Sequence, residues 1–575
     1  MKTWSLPAAA LALFTAVQAY SCAPNATTAN ATYQGLYKNQ VETFLGIRYG
    51  QDTGGANRFK PPRPFVSSGV IEAREAGPAC PQLLGPNAVP LYLGNVTETS
   101  EDCLRLNVYR PNGTTHHDRL PVMLYIHGGS FKVGSKDDPV SQPGGMILQS
   151  VAHGHPVISV QINYRLGIFG FAQSNALKQE CSENAGLRDH RLALEWVQSN
   201  IAAFGGDPDN VLIHGQSSGG LAIGMQIMAH GASKPPVFHK AIGQSQILEG
   251  GITANFTRDA MQAVADYTKC NTTALDSDAT LQCLRNLTTD DLFEAQNVTS
   301  TLMNLGDIWL PVVDGDFLPA APSELIATGR FYNVTTMVGW CEDDTTFFVP
   351  ATISNASATR DFFKDYLPGF TDANLDKLLD LYPQSDFQSE YFSNGTLELH
   401  AEIRRAGRIL RDILMTCQPV YFGEALAKAG NDVYFYDQNQ TILTPVLETN
   451  FSLYGYGVPH TSELAYSFGN LSHFDIYDFP FHPNAEDYAL VPRESRSWTS
   501  FAALGRPSID NTTLQGWHKA SFEDENYGIY IIGGPEEGYG GVNGSHVARE
   551  ALKKQKLKER CGFLISPEIV RQQEY

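Results

Sequence analysis

Residues 211–220, VLIHGQSSGG, set Ser217 between Gly215 and Gly219 at the end of an apolar run. Glycines clustered in this way mark a turn where Cβ atoms do not fit. The run from Asn210 to His214 has β character, and the small-residue stretch LAIGMQIMAHG after it has helical character. A strand-to-helix turn of form G-x-S-x-G holds its serine exposed and strained, ready to attack a carbonyl. A hydroxyl is a poor nucleophile at neutral pH and needs a base. Histidine titrates in the right range, and a buried carboxylate fixes its tautomer and stabilises its charged form. Donors fixed in place must also receive the negative charge that builds on the carbonyl oxygen. The motif alone is weak, so the partners have to come from elsewhere in the chain.

Six β-rich runs supply candidate platforms: 121–127, 156–164, 210–215, 238–245, 335–340 and 432–438. Most are continuously apolar, the pattern of parallel strands buried on both faces. Helical segments such as LRDHRLALEWVQSNIAAFG and LHAEIRRAGRILRDILMTC lie between them. Alternating β and α elements predict a parallel sheet covered on both sides, with function at the carboxyl ends of the strands. His127-Gly128-Gly129-Ser130-Phe131 follows the first run. An isolated Gly-Gly pair is more often a tight turn, but here a G-x-S-x-G follows in the right order. The N–H groups of Gly129, Ser130 and Ser218 are the candidate oxyanion donors. CEDDTTFF follows the fifth run, and Asp344 is the candidate acid. Asp343 and Glu342 are its rivals, since spacing alone does not choose and carboxylates also suit a helix N-terminus. His460, in the loop after the sixth run, alone among the six histidines beyond Asp344 closely follows an expected buried strand.

The first nineteen residues, MKTWSLPAAALALFTAVQA, read as a cleaved signal peptide, too short in their apolar part for a membrane span. The C-terminus, PEIVRQQEY, shows neither an anchor tail nor a retention signal. Sixteen N-x-[ST] sequons run from Asn25 to Asn543 and point to N-linked glycans on a secreted protein. The net charge of −20 repels nucleic acid and anionic lipid and keeps the protein soluble. No linker or repeat divides the chain, so 20–575 is expected to be one α/β domain with insertions. Of nine cysteines, Cys270 and Cys283 could close a small loop, and Cys80 and Cys103 a larger one. The odd count leaves at least one thiol free. No C-x-x-C pair or histidine cluster suggests zinc.

These segments resemble the type-B carboxylesterase/lipase family, which includes cholinesterases and fungal extracellular lipases. FLGIRYG, SEDCLRLNVYRP, NYRLGIFGF, NAGLRDHRLALEWVQSNIAAFGGDPDNV, HGQSSGG, VGWCEDDTTFF and VPHTSELAYSFG occur in family order. The resemblance implies the α/β-hydrolase fold, a mostly parallel central sheet with helices on both faces and large insertions. It implies a triad of Ser217, Asp344 and His460, bridges Cys80–Cys103 and Cys270–Cys283, and ion pairs Arg48–Glu101 and Arg165–Asp189. Departures stand beside it. The family acid is usually Glu, and here it is Asp344. The residue before the nucleophile is commonly Glu, and Gln216 removes that charge, leaving His460 less favoured as imidazolium. Ser130 replaces a glycine and Ser218 an alanine. The choline-binding tryptophan expected in the first disulfide loop is missing. The Leu, Val and Tyr residues of that loop form either a lid over an acyl pocket or a glycosylated surface loop.

The expected activity is hydrolysis of small-molecule or lipid carboxylic esters without a metal or organic cofactor and without a membrane anchor. Two other readings keep the same fold: a catalytically inactive binding relative, and an acyltransferase or lactone-forming enzyme that uses the same three residues.

Overall fold

The computed structural model describes residues 23–86, 94–301, 303–391, 393, 397–471 and 481–575. The expected signal peptide and Cys22 lie outside the described residues, as do Val89, Leu91 and Tyr92 of the first disulfide loop.

Eleven strands form one sheet. In chain order they are β1 (Leu36–Lys38), β2 (Val41–Arg48), β3 (Arg105–Pro111), β4 (Leu120–Ile126), β5 (Ile158–Ile162), β6 (Gly206–Gln216), β7 (Lys240–Gln244), β8 (Thr335–Cys341), β9 (Val433–Gln438), β10 (Ile529–Ile532) and β11 (Gly538–Tyr539). Across the sheet they run β11-β10-β9-β8-β7-β6-β4-β5-β3-β2-β1. Strands β4 to β10 are parallel to one another. Antiparallel pairs close both edges.

The continuous apolar runs have a direct cause. Successive side chains of a strand point to opposite faces. Val122, Leu124 and Ile126 of β4 enter one apolar cluster, while Met123 and Tyr125 enter another. Helices α1 (Ala185–Asn200), α2 (Ser218–Ile227) and α3 (Ala401–Arg411) pack into the first cluster, and α4 (Ala485–Leu504) into the second. Neither face of the central strands meets water, so neither face carries polar alternation.

Bonds Cys80–Cys103 and Cys270–Cys283 form as expected, and Cys417–Cys561 adds a third bridge across 144 residues. Cys341 is free and buried, and Cys181 is free and exposed. Leu83 and Leu84 of the first disulfide loop are exposed. Among the described residues, no helix is long and apolar enough to cross a membrane.

Arg165 and Asp189 pair as expected. Nε and Nη2 of Arg165 donate to the two carboxylate oxygens at 2.8 and 2.6 Å, with both side chains buried. The Arg48–Glu101 pair does not form. Arg58 takes Glu101 in a bidentate contact at 2.5 and 2.9 Å, and Arg48 turns to Asp102 at 2.6 Å. Glu101 is buried and Arg48 is part-exposed. The buried carboxylate is matched by the buried guanidinium, since an uncompensated buried charge is costly.

Two outcomes follow. Asp189→Ala strands the Arg165 guanidinium in the core, and a loss of about 3–5 kcal/mol is expected from urea unfolding midpoints. The described sequon asparagines are exposed except Asn439, which is half-buried, and Asn470, which is buried with its amide donating to the Gln142 carbonyl at 3.3 Å. Glycopeptide mass spectrometry of the protein from a glycosylating host should find Asn470 unmodified.

Candidate functional site

The chain turns sharply between β6 and α2, with Ser217 at φ 59° and ψ −131°. A non-glycine residue pays for positive φ, and the surrounding backbone enforces it. Ser217 N–H donates to the Gln244 carbonyl on β7 at 2.9 Å, and Leu221 N–H donates to the Ser217 carbonyl at 3.0 Å. A Cβ at Gly215 would lie 2.4 Å from the Gly219 carbonyl oxygen, and one at Gly219 would lie 2.2 Å from the Ile126 oxygen. The glycines are there because backbone touches backbone. Ser217 is half-buried, while Gln216 and Ser218 beside it are buried.

The loop after β4 curls over this turn. Gly129 has φ 109°, Ser130 56° and Phe131 52°. Val133 and Lys132 N–H groups both donate to the Gly129 carbonyl, at 3.0 and 2.9 Å. Phe131 N–H donates to the Ser218 hydroxyl at 3.1 Å, which ties this loop to the turn. Sequence reasoning assigned Ser218 only a backbone role and missed that tie. Gly167 N–H, in the segment after β5, donates to the Phe131 carbonyl at 2.6 Å. Tyr164 donates to the His127 carbonyl at 2.9 Å and stacks on the His127 ring. Among the described residues, no acceptor is paired with the N–H groups of Gly129, Ser130 or Ser218. The N-terminus of α2 adds its partial positive charge on the same side.

His460 is buried, edge-on to Phe348 at 5.3 Å. Its Nδ1 is hydrogen-bonded to Asp344 Oδ1, and Asp344 Oδ2 accepts the Cys341 N–H at 2.8 Å. The geometry separates three acids that spacing left open. Asp343 accepts Val458 N–H at 3.1 Å and returns a bond from its own N–H to the Val458 carbonyl, clamping the histidine loop. Glu342 binds Arg408 at 2.6 Å and Arg411 at 3.1 Å. Burial opposes its ionisation, but the two guanidinium groups hold its carboxyl down to about 2. Of the three, only Asp344 has its hydrogen bond to His460.

His460 Nε2 faces the Gln216 amide nitrogen at 3.1 Å. The neutral tautomer protonated on Nδ1 satisfies both contacts: it donates to Asp344 and accepts from Gln216. Sequence reasoning noted the missing charge at Gln216 but not this contact. It also missed Glu463, whose Oε2 accepts from the Cys341 thiol at 3.2 Å and whose Oε1 accepts from Gln244 at 3.4 Å. Burial and the nearby Asp344 push its carboxyl up to about 7. The signal was available, since Glu463 lies three residues after His460 in VPHTSELAYSFG.

A family model described as the carboxylesterase family matches residues 23–556. A secreted lipase of Arthroderma benhamiae is 46% identical over 545 residues, covering 94% of this chain and 93% of its own. The inactive carboxylesterase-like protein VdtD of Byssochlamys spectabilis is 35% identical, covering 93% of this chain and 92% of its own. The crystal structure of EstA from Aspergillus niger superposes with a TM-score of 0.76 at 26% identity, covering 94% of this chain and 100% of that one. The fold is that of the α/β-hydrolases, and the chain belongs to the carboxylesterase family.

Proposed function

We propose that this protein is a secreted serine hydrolase of small-molecule or lipid carboxylic esters. After removal of a leader at 1–19, residues 20–575 form one catalytic domain glycosylated at exposed sequons. The observation that carries the catalytic reading is His460 spanning from Asp344 to the elbow, with Nδ1 on the carboxylate and Nε2 turned to the residue beside Ser217. Secretion is supported by the name of the Arthroderma relative, by the three disulfides and by the exposure of the sequons.

Ser217 Oγ attacks the ester carbonyl while His460 Nε2 takes its proton. The Gln216 amide holds that nitrogen at rest and yields it to Ser217 when substrate engages. Asp344 keeps Nδ1 protonated and offsets the imidazolium charge. The N–H groups of Gly129, Ser130 and Ser218 receive the oxyanion. His460 then protonates the departing alcohol and leaves an ester on Ser217. Water, deprotonated by the same imidazole, releases the acid.

The 35% identity to an inactive relative keeps a binding-only reading in view. An organophosphonate probe separates the two, since it should phosphonylate the wild type and leave Ser217→Ala unlabelled. Ser217→Ala should also cut turnover of a p-nitrophenyl ester by on the order of 10⁴-fold or more with its circular dichroism unchanged.

Gln216→Glu sets a carboxylate against His460 Nε2. The anion favours the imidazolium and raises its pKa. Because the neutral imidazole is the working base, the ascending limb of kcat/KM should move to higher pH by about one unit or more. An unmoved limb would contradict the placement of Gln216 beside the working nitrogen.

A further inference from the structure

Residues from the carboxyl ends of three neighbouring strands open onto one cavity of about 700 Å³. Glu342 and Asp343 follow β8, Asp437 lies near the end of β9 with Asn439 just after it, and Ile531 belongs to β10. Helix α3 adds Arg404 and Arg408, and the joint between helices His546–Lys554 and Leu557–Leu564 adds Gln555 and Lys556. The cavity falls in the roughly 300–1,000 Å³ range of small-molecule sites. Its walls include neither Ser217 nor His460.

Five acids and five cations line the cavity, and most are already matched. Arg408 binds Glu342 at 2.6 Å and Lys556 binds Asp386 at 2.8 Å. Arg404 binds Glu390 at 2.5 Å, and Arg560 lies 3.8 Å from Asp386 and 4.0 Å from Asp412. Gln555 Nε2 donates to both Glu342 and Asp437 at 2.8 Å. Such a wall offers a phosphate or an amine little unpaired opposite charge to offset its desolvation. It does offer donors and acceptors to an uncharged, hydroxyl-rich ring. The buried Oδ1 of Asp437 has no hydrogen-bond partner among the described residues, and a buried polar atom of this kind calls for a donor. Phe387, Ile531 and Ala551 supply apolar patches for the C–H faces of the ring.

One wall residue can carry that ring covalently. Asn439-Gln440-Thr441 is a sequon, and Asn439 is half-buried. Its N–H donates to the Ile532 carbonyl at 2.8 Å, which fixes the backbone beside β10. Its Nδ2 donates to Glu536 Oε2, on the cavity wall, at 3.3 Å. An amide nitrogen has two hydrogens. A sugar on Nδ2 replaces one and leaves the other to Glu536.

We propose, building on the secreted-glycoprotein part of the reading above, that Asn439 carries an N-linked glycan whose first sugar ring seats in this cavity. The bond from Nδ2 to the anomeric carbon forms as the bond from that carbon to the diphosphate of a lipid-linked oligosaccharide donor breaks. The diphosphate leaves as its anion, and one amide proton passes to solvent. Transfer precedes folding, because in the folded chain Thr441 Oγ1 is taken up by the Ser462 hydroxyl at 2.8 Å and by Leu443 N–H at 3.0 Å. The chain then closes around the first ring, and the open side of the cavity lets the rest of the glycan reach solvent. The ring stands against Glu342 and Asp343, the two residues before Asp344.

The test uses the full chain secreted from a glycosylating eukaryotic host, with occupancy read by intact-glycopeptide mass spectrometry. Asn439 should be occupied. Peptide-N-glycosidase F added to the native protein should release the Asn439 glycan at least about tenfold more slowly than glycans at exposed sequons such as Asn112, because the enzyme must wait for the cavity to open. Denaturation in SDS should remove the difference. Ala551→Trp, which fills the seat, should bring native release at Asn439 up to the rate at the exposed sequons. Where that variant does not fold, Gln388→Trp serves in its place. A bare Asn439 beside occupied exposed sequons overturns the proposal. So does native release as fast as at those sequons, or slow release that persists in the folded tryptophan variant. A chain bare at every sequon defeats the secreted-glycoprotein reading itself, which separates the two failures.

Discussion

The backbone of Ser217 is the constraint on which the rest of the site depends. Its positive φ costs on the order of 1–3 kcal/mol, and such a conformation persists only where its surroundings over-determine it. Here they do. Parallel pairing sets Gln216 opposite Gln244, so the next N–H must reach the Gln244 carbonyl. The first turn of α2 takes the Ser217 carbonyl. Gly215, Gly219 and Gly220 leave no room in which the chain could relax, since a Cβ on any of them would fall within 2.4 Å of a backbone oxygen. The hydroxyl is carried by the sheet and not by a side-chain rotamer, so its position is as rigid as the β6–β7 register.

The other two segments are fitted to that fixed point by different means. The loop after β4 is held from below by the Ser218 hydroxyl on Phe131 N–H and from behind by Gly167 N–H on the Phe131 carbonyl. Both partners of Phe131 belong to elements that follow neighbouring strands, so sheet order alone brings them together. The histidine loop is held by Asp343, whose reciprocal bonds with Val458 stop it two residues before His460. A side chain that competed with Asp344 on paper serves here to aim the imidazole at Asp344.

What could be read from the residues follows the same physics. The parallel strands were legible because burial on both faces removes polar alternation, and β4 shows it, feeding two clusters in turn. The antiparallel β2 and β3 were not read as strands, although FLGIRYG and RLNVYRP were noticed as motifs. Their registered partners Glu42 and Arg110 form a buried ion pair at 2.6 Å, so charged residues interrupt what would otherwise be an apolar run. The acid was only narrowed to three neighbours, because which carboxyl faces inward depends on a loop whose path Arg408, Arg411 and Val458 decide. The Arg48–Glu101 expectation failed at close range: Arg58 and Arg48 both lie near 101–102, and burial decides which guanidinium takes which acid. The Cys417–Cys561 bridge joins residues 144 apart, and no local pattern marks such a pair.

The same reasoning explains how buried acids crowd one histidine without confusion. Asp344 receives two strong donors, the Cys341 N–H and the imidazole. Glu463 receives a thiol and an amide at 3.4 Å, both weak, and burial carries its carboxyl up to about 7. The donor sets matter because hydrogen bonds to a carboxylate are what make a negative charge tolerable in a low-dielectric site. Burial and the neighbouring Asp344 favour the protonated form of Glu463, so it adds less negative charge beside Asp344 than a carboxylate with strong donors would. Two fully charged acids side by side at this depth would repel each other. Unequal donor sets avoid that outcome without removing either acid.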